Sequence, residues 1–306
     1  MKVLVATQKP FAAAAVNGIK EILEAAGHEV LLLEKYASQE DLTAAVAPAD
    51  ALIVRSDKVT PEVIAAAPSL KIVVRAGAGF DNVDLPAASA RGIVVMNTPG
   101  QNSNAVAELA VAMMIYMART QFTPATGSEI AGKTLGIQAF GNVGRLVGAK
   151  AKALGMNVKA IDPFLTDEQI AAGGAESAAS LEELYATSDY VSIHIPATPQ
   201  TIGSIGYKLI SSMPKGATLV NTARKEVIDE AGLEKALEER PDLKYITDVA
   251  PDNYAVLKEK FGLRVFATPK KMGAQTAEAN VNAGLAAARQ IVDYFATGST
   301  RFQVNK

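Results

Sequence analysis

The sequence predicts an α/β fold made of two doubly wound parallel-sheet domains, each with helices on both faces of its sheet. Three observations predict it. At 306 residues the chain is long enough for two ordinary domains with a sizeable core in each. Short β-branched runs alternate with helical runs over the first third, and a second alternating series starts at Thr134. Neither series shows an internal repeat, a low-complexity tract or a long linker, so both read as packed domains.

In chain order, Lys2–Thr7 (KVLVAT) reads as a buried parallel strand. Phe11–Ala26 is Ala-rich and helical, and Gly27 stops it. Strands are expected at Val30–Leu33, Leu52–Arg55, Ile72–Arg75 and Ile93–Met96, with helices at about 38–47, 61–67 and 84–91 between them. Thr98-Pro99-Gly100 breaks the alternation. Asn102–Arg119 then reads as one helix, capped by Asn102 or Ser103. Apolar residues nearly surround its axis, so burial at a domain or subunit interface is expected. Gln121–Gly132 is polar and reads as a loop. The second series places strands at Leu135–Ala139, Val158–Ile161, Tyr190–Ile193, Thr218–Asn221, Tyr245–Asp248 and Val265–Ala267. An Ala-rich amphipathic helix, Thr276–Phe295, comes last.

Composition narrows the chemistry. Hydrophobic residues make up 49% and charged residues 20%, which are globular values. Thirty Lys+Arg against 32 Asp+Glu give a net charge of −2, which suggests no nucleic-acid partner and no acidic membrane surface. The N-terminal apolar run breaks at Gln8-Lys9-Pro10, too early for a signal peptide. The longest apolar stretch, Leu109–Ala118, is about half a membrane span, so a cytoplasmic location is expected. There is no cysteine, and His28 and His194 are the only histidines. Disulfides, cysteine nucleophiles and Cys/His zinc sites are excluded. His28, in the helix-ending turn AAGHEV, is expected to be exposed.

One turn carries a ligand signal. Gly141-Asn142-Val143-Gly144 follows a strand and opens a helix, so its backbone can approach a pyrophosphate at the helix N-terminus. The first glycine usual in such turns is Ala139 here. Asp162 ends the next strand, eighteen residues past Gly144. An acid there accepts from a ribose 2′-hydroxyl and repels a 2′-phosphate, which favours NAD over NADP.

Several further pieces occur together: Val54-Arg55-Ser56, the run from Val74 to Asp84 (VRAGAGFDNVD), Ala107-Glu108-Leu109, Gly132–Ile137, His194-Ile195-Pro196, Met213–Gly216, Val220–Arg224 and Thr268-Pro269. With them the chain resembles the D-isomer-specific 2-hydroxyacid dehydrogenases nearly end to end, most of all those that oxidise D-3-phosphoglycerate. The resemblance implies a flavodoxin-like substrate-binding domain of residues 1–98 plus 274–306, and a Rossmann NAD-binding domain of residues 99–273. It implies NAD as cofactor and a small-molecule substrate. It also implies a homodimer formed through the NAD domain, for which the helix Asn102–Arg119 is a candidate. By the same resemblance Arg224 grips the substrate carboxylate, the loop around Ala78 and Gly79 offers backbone N–H groups, and Asn102 touches substrate. Arg55 with Ser56, and Arg75, end strands of the substrate domain and suit a phosphate. The other use of either arginine is an ion pair with Asp57, Asp81 or Asp84. Thr222, Ala223, Asp248, His194 and Gly273 join the turn and Asp162 as cofactor-side residues, with Asp248 orienting the nicotinamide.

The sequence departs from the family at the proton-transfer pair. Where the family has a histidine after Thr-Pro, this chain has Lys270, with Lys271 beside it. Asn253 stands where the family carboxylate is expected, and Asp252 is its acidic neighbour. A histidine needs a carboxylate to stay protonated. A lysine, with a reference pKa of ~10.4, must instead be helped to lose its proton, and burial and the charge of Arg224 are expected to do so. The implied reaction is NAD-dependent oxidation of 3-phosphoglycerate, the first step of serine synthesis, with Lys270 as acid/base. A glyoxylate or hydroxypyruvate reductase is the same-class alternative, and an NAD-binding regulator is the alternative of another class. The chain ends at Lys306, soon after the last helix, so feedback by serine through a C-terminal domain is not expected.

Overall fold

The computed structural model describes residues 1–306, which divide into two compact units. One comprises Met1–Asn102 and Gln275–Lys306, the other Ser103–Ala274. Pro99–Asn102 therefore go with the first unit rather than the second. Just before them, Thr98 N donates to Gly77 O at 2.9 Å. Ala274 goes with the second unit.

The first unit contains β1 (Lys2–Thr7), β2 (Glu29–Glu34), β3 (Ala51–Val54), β4 (Ile72–Arg75) and β5 (Val94–Asn97). They form one parallel sheet in the order β2-β1-β3-β4-β5. Successive side chains of a strand leave opposite faces, so each strand feeds two cores. Leu4, Leu52, Val73 and Val95 pack on one face with Leu42 and Val63. Val3, Val5, Ile53 and Val74 pack on the other with Ile19, Leu23 and Ile291. The last helix, Ala277–Thr297, returns here against the helix Ala13–Ala25. Gly18 lets them approach, since a Cβ there would lie 2.5 Å from Leu285. Beyond that helix the tail covers the outer edge of β5. Val304 N donates to Val95 O at 2.8 Å, and Asn305 accepts from Val95 N and donates to Ile93 O, both at 2.8 Å. His28 is half-buried rather than exposed, because its ring packs at 5.5 Å from that of Phe295. Burial lowers its pKa.

The second unit holds β6 (Thr134–Gln138), β7 (Asn157–Ile161), β8 (Glu176–Ser177), β9 (Tyr190–Ile193), β10 (Thr218–Asn221), β11 (Lys244–Thr247) and β12 (Val265–Ala267). The order is β12-β11-β10-β9-β6-β7-β8, all parallel. β8 goes unpredicted because two residues carry no periodicity. The helix Ser103–Ala118 packs on the helix Asn142–Ala153 and over β10 and β11. Met113, Met114 and Met117 enter this unit's core, while Asn104, Glu108 and Ala112 stay exposed. Its buried face is covered within its own unit. No helix is long and apolar enough to cross a membrane.

Both sheets reverse strand order beside their first strand, at β1/β3 and at β6/β9. In open parallel sheets the crevice for ligands opens outside the carboxyl ends of the strands at such a point.

Candidate active site

In the second unit the candidate residues stand at the carboxyl ends of five strands. After β6 the chain turns through Ala139 at φ +74°, and Gly141 caps the helix Asn142–Ala153. A left-handed backbone costs an L-residue about 1 kcal/mol, so Ala139 keeps the turn that a glycine makes without strain. Gly144 is required for close approach: a Cβ there would fall 2.3 Å from Ala139 O. A Cβ on Gly141 would meet nothing within 4 Å, so the way to the helix N-terminus is open. Asn142 and Val143 contribute two of the backbone N–H groups that lack partners inside the helix.

Asp162, at the end of β7, ties that turn down. Its Oδ2 accepts from Phe140 N and its Oδ1 from Phe164 N, both at 2.9 Å. Each oxygen keeps a lone pair for a further donor, which fits ribose hydroxyls. After β9, His194 N donates to Gln138 O at 2.9 Å, which sets the residue beside the turn. Its Nε2 lies 2.9 Å from Ser192 Oγ, and burial pushes its pKa down to about 4. The ring is neutral near pH 7.

After β10, Asn221 folds the chain back on itself. Its Oδ1 accepts from Ala223 N and its Nδ2 donates to Arg224 O, both at 2.9 Å. This turn presents Arg224, which is half-buried and donates from Nη1 to Ala223 O. Thr222 Oγ1 is buried with no hydrogen-bond partner. A buried hydroxyl left unpaired at a strand's carboxyl end fits a polar group of a bound cofactor.

Asp248, after β11, is 1% exposed. Its Oδ1 accepts from Thr268 Oγ1 at 2.7 Å and Met272 N at 2.9 Å, and its Oδ2 accepts from Gly273 N at 2.8 Å. Its oxygens are thus spent on the loop 268–273, which carries Lys270 and Lys271. Lys270 itself is exposed. The burial expected to prime it is absent, because the loop bonds inward through its backbone and through Thr268 and turns Lys270 outward. Asp252 is exposed and pairs with Lys225 at 2.5 Å, so it does not stand in for the missing carboxylate. Asn253 donates from Nδ2 to Glu234 at 3.5 Å, and its Oδ1 is buried and unpartnered. Sequence reasoning missed three positioning residues, Ser192, Asn221 and Thr268. Of these only Asn221 carried a signal, as an Asx residue two positions before a turn's N–H.

The first unit brings Arg55, Arg75 and Ala78 to the ends of β3, β4 and β5. Arg55 donates from Nη1 to Lys9 O and Pro10 O, each at 3.1 Å, and from Nη2 to Asn280 Oδ1, and it lies over the Phe11 ring at 5.2 Å. No carboxylate hydrogen-bonds its guanidinium; desolvation lowers its pKa, and the charge of nearby Asp57 opposes that shift. Asp57, one of the expected partners, accepts instead from Gln8 N, Tyr36 Oη and Arg55 N. Arg75 Nε donates to Arg55 O at 2.8 Å, and the side chain crosses Gly77 so closely that a Cβ there would lie 1.6 Å from Nη1. Gly77, at φ +148°, is therefore fixed by its neighbour as well as by its backbone. Asn97 Nδ2 donates to Ala78 O at 2.6 Å. Ser56 is exposed, and Gly79 and Asn102 are half-buried.

Comparison with known proteins converges on one family. Residues 105–270 match the model described as D-isomer specific 2-hydroxyacid dehydrogenase, NAD binding domain. D-3-phosphoglycerate dehydrogenase of Mycobacterium tuberculosis is 38% identical over 267 residues, 83% of this chain and 50% of that protein. The rat protein of the same name is 36% identical over 293 residues, 90% of this chain and 54% of its own length. The chain thus spans about half the length of the curated relatives it matches. Among solved structures, the NAD+-bound 3-phosphoglycerate dehydrogenase of Entamoeba histolytica is 51% identical. It has a TM-score of 0.88 and covers 100% of this chain and 99% of its own.

Proposed function

We propose, since this chain belongs to the D-isomer-specific 2-hydroxyacid dehydrogenase family, that it oxidises D-3-phosphoglycerate to 3-phosphohydroxypyruvate with NAD, the first step of serine biosynthesis. One observation carries the choice of substrate. The Arg55 guanidinium is half-buried and hydrogen-bonds no carboxylate, and the Arg75 side chain is tied to the Arg55 backbone carbonyl at the same strand ends, so two cations are offered there to an anion richer in charge than a carboxylate alone. Ser56, Ala78, Gly79 and Asn102 complete the substrate side in this reading.

In the oxidation, Arg224 grips the carboxylate in bidentate fashion and polarises the C2 oxygen, and Lys270 takes the C2 hydroxyl proton. Gly141, Asn142, Val143 and Gly144 hold the pyrophosphate, and Asp162 holds the ribose. His194, Thr222, Ala223 and Gly273 line the remainder. Bound NAD supplies the two-electron acceptor. Asp248 acts through the loop it anchors, keeping Lys270 at a fixed height above the strand ends. A homodimer formed through the NAD-binding unit and a cytoplasmic location complete the reading, and sedimentation of the purified protein tests the first.

A substrate panel followed by NADH absorbance is the deciding experiment. Turnover should be highest with D-3-phosphoglycerate, and Arg55→Ala should raise KM for that substrate alone. An equal effect on glycerate would favour a glyoxylate or hydroxypyruvate reductase. Near-full turnover in Lys270→Ala would remove the proton-transfer role. The exposure of Lys270 favours one other reading, an NAD-binding regulator. Tight NAD binding by calorimetry with no NADH formed from any 2-hydroxy acid would decide for it.

A further inference from the structure

The loop that carries Lys270 also carries the chain's one accessible internal sulfur. The chain has eight methionines and no cysteine. Met96, Met113, Met114, Met117, Met156 and Met213 are at most 4% exposed, packed in the two cores. Met272 is 40% exposed, and only Met1 exceeds it, at 49%. Met272 also sits on a fixed backbone. Its N–H donates to both oxygens of Asp248, at 2.9 and 3.1 Å, and the next N–H, of Gly273, donates at 2.8 Å. The main chain at this position is held by a buried carboxylate while the thioether faces water.

We propose that Met272 is an oxidant-sensitive modification site whose oxidation lowers activity. The reagent class is a peroxide. The thioether sulfur gives a lone pair to one peroxide oxygen, the O–O bond breaks, and the departing hydroxide takes a proton to leave as water. Sulfur is oxidised by two electrons and the peroxide is reduced by two. The product is a sulfoxide, a strong hydrogen-bond acceptor in place of an apolar group. Asp248 pins the backbone, so the new oxygen is carried on the same held loop as Lys270 and Lys271, two residues and one residue away in the chain. An acceptor there competes for the lysine ammonium and holds the proton that the base must release. The core methionines are shielded and react only when the fold opens.

The site itself is independent of the dehydrogenase reading, whereas its effect on turnover rests on it, and two readouts keep them apart. The full-length protein is titrated with hydrogen peroxide, the peptides are analysed by mass spectrometry, and NADH formation is followed on the same samples. Met272 should gain one oxygen before any core methionine does. Turnover should fall in step with the oxidised fraction, and methionine sulfoxide reductase should restore it. Met272→Leu, compared with its own untreated rate, should keep its turnover under the same treatment, with Met1 oxidised equally in both proteins. Core methionines oxidised as early as Met272 would overturn the site. Equal inactivation of Met272→Leu would overturn its effect on activity. An enzyme with no turnover before treatment would sink the dehydrogenase reading and the proposed effect with it, while the peptide data still judged the site.

Discussion

Replacing Asp248 by asparagine isolates the anchoring of the loop 268–273. The carboxylate takes three donors: the Thr268 hydroxyl at 2.7 Å, Met272 N at 2.9 Å and Gly273 N at 2.8 Å. An amide of the same shape has one acceptor and one donor. With Nδ2 toward Gly273, two buried N–H groups would face each other. The amide therefore settles with Nδ2 toward Thr268, whose hydroxyl accepts from it and donates to Lys270 O, while Met272 N keeps only its longer bond, 3.1 Å, to the remaining oxygen. Each of the three bonds then changes from charge-assisted to neutral, a loss of about 1 kcal/mol apiece and about 3 kcal/mol in all. For a unit of this size that lowers Tm by roughly 6–12 °C. Asp248→Ala leaves Met272 N and Gly273 N with no acceptor, while the Thr268 hydroxyl keeps Lys270 O at 3.0 Å, and costs on the order of 1–3 kcal/mol for each of the two buried N–H groups. Calorimetry gives the Tm, and amide hydrogen exchange locates the effect. Exchange should quicken at Met272 and Gly273 while β6 stays protected. A Tm within about 1 °C of the parent, with unchanged exchange in the loop, would refute the argument that Asp248 holds it.

Three further outcomes are expected. His194 has a folded-state pKa of about 4 against ~6.5 for a free imidazole, so the unfolded chain binds the extra proton between these values. Stability should be full above that window and fall as pH drops through it, and His194→Gln should flatten the fall, as read from urea midpoints. Ala139→Gly should leave stability equal or higher by up to roughly 0.5 kcal/mol, because relief of the φ +74° strain offsets the entropy of a freer unfolded chain, whereas Ala139→Val should lower it. The reverse ranking in thermal melts would remove strain from the account of that turn. Asp162→Ala removes the acceptor of Phe140 N and Phe164 N and should weaken NAD about tenfold by calorimetry, equivalent to ~1.4 kcal/mol. Unchanged affinity would show that the turn holds its shape without that carboxylate.

The fold was legible because its signal is local and repeated. Ala51–Val54 is apolar on every residue and Ile72–Arg75 on all but its last, as strands buried on both faces must be. Glu176–Ser177 was not legible, since two polar residues beside a strand gain their state from β7 alone. The boundary near residue 100 lies in a stretch with no periodic pattern to place it. Thr98 carries no pattern of its own, and the chain leaves the first unit only after Asn102.

The site was legible in its residue types but not in what those residues hold. Asp162, Asp248 and Arg55 each stand where a ligand contact was expected, and each is bonded to the protein's own backbone. Asp162 holds Phe140 and Phe164, Asp248 holds Met272 and Gly273, and Arg55 holds Lys9 and Pro10. Turns at strand ends leave N–H and C=O groups that no ladder satisfies, and a buried charge is the strongest partner for them. A charge that fixes a turn also fixes the groups the turn presents, so the two uses reinforce each other. Thr222 is the converse case. Its hydroxyl is buried and holds nothing, although a threonine there could have capped its own turn as Asn221 does. Sequence gives the two residues similar weight, since both are small polar groups after a strand. Only the backbone path separates the one that builds the turn from the one left facing outward from it, and that path depends on pairings twenty or more residues away, such as Thr247 Oγ1 with Asn221 O at 2.9 Å.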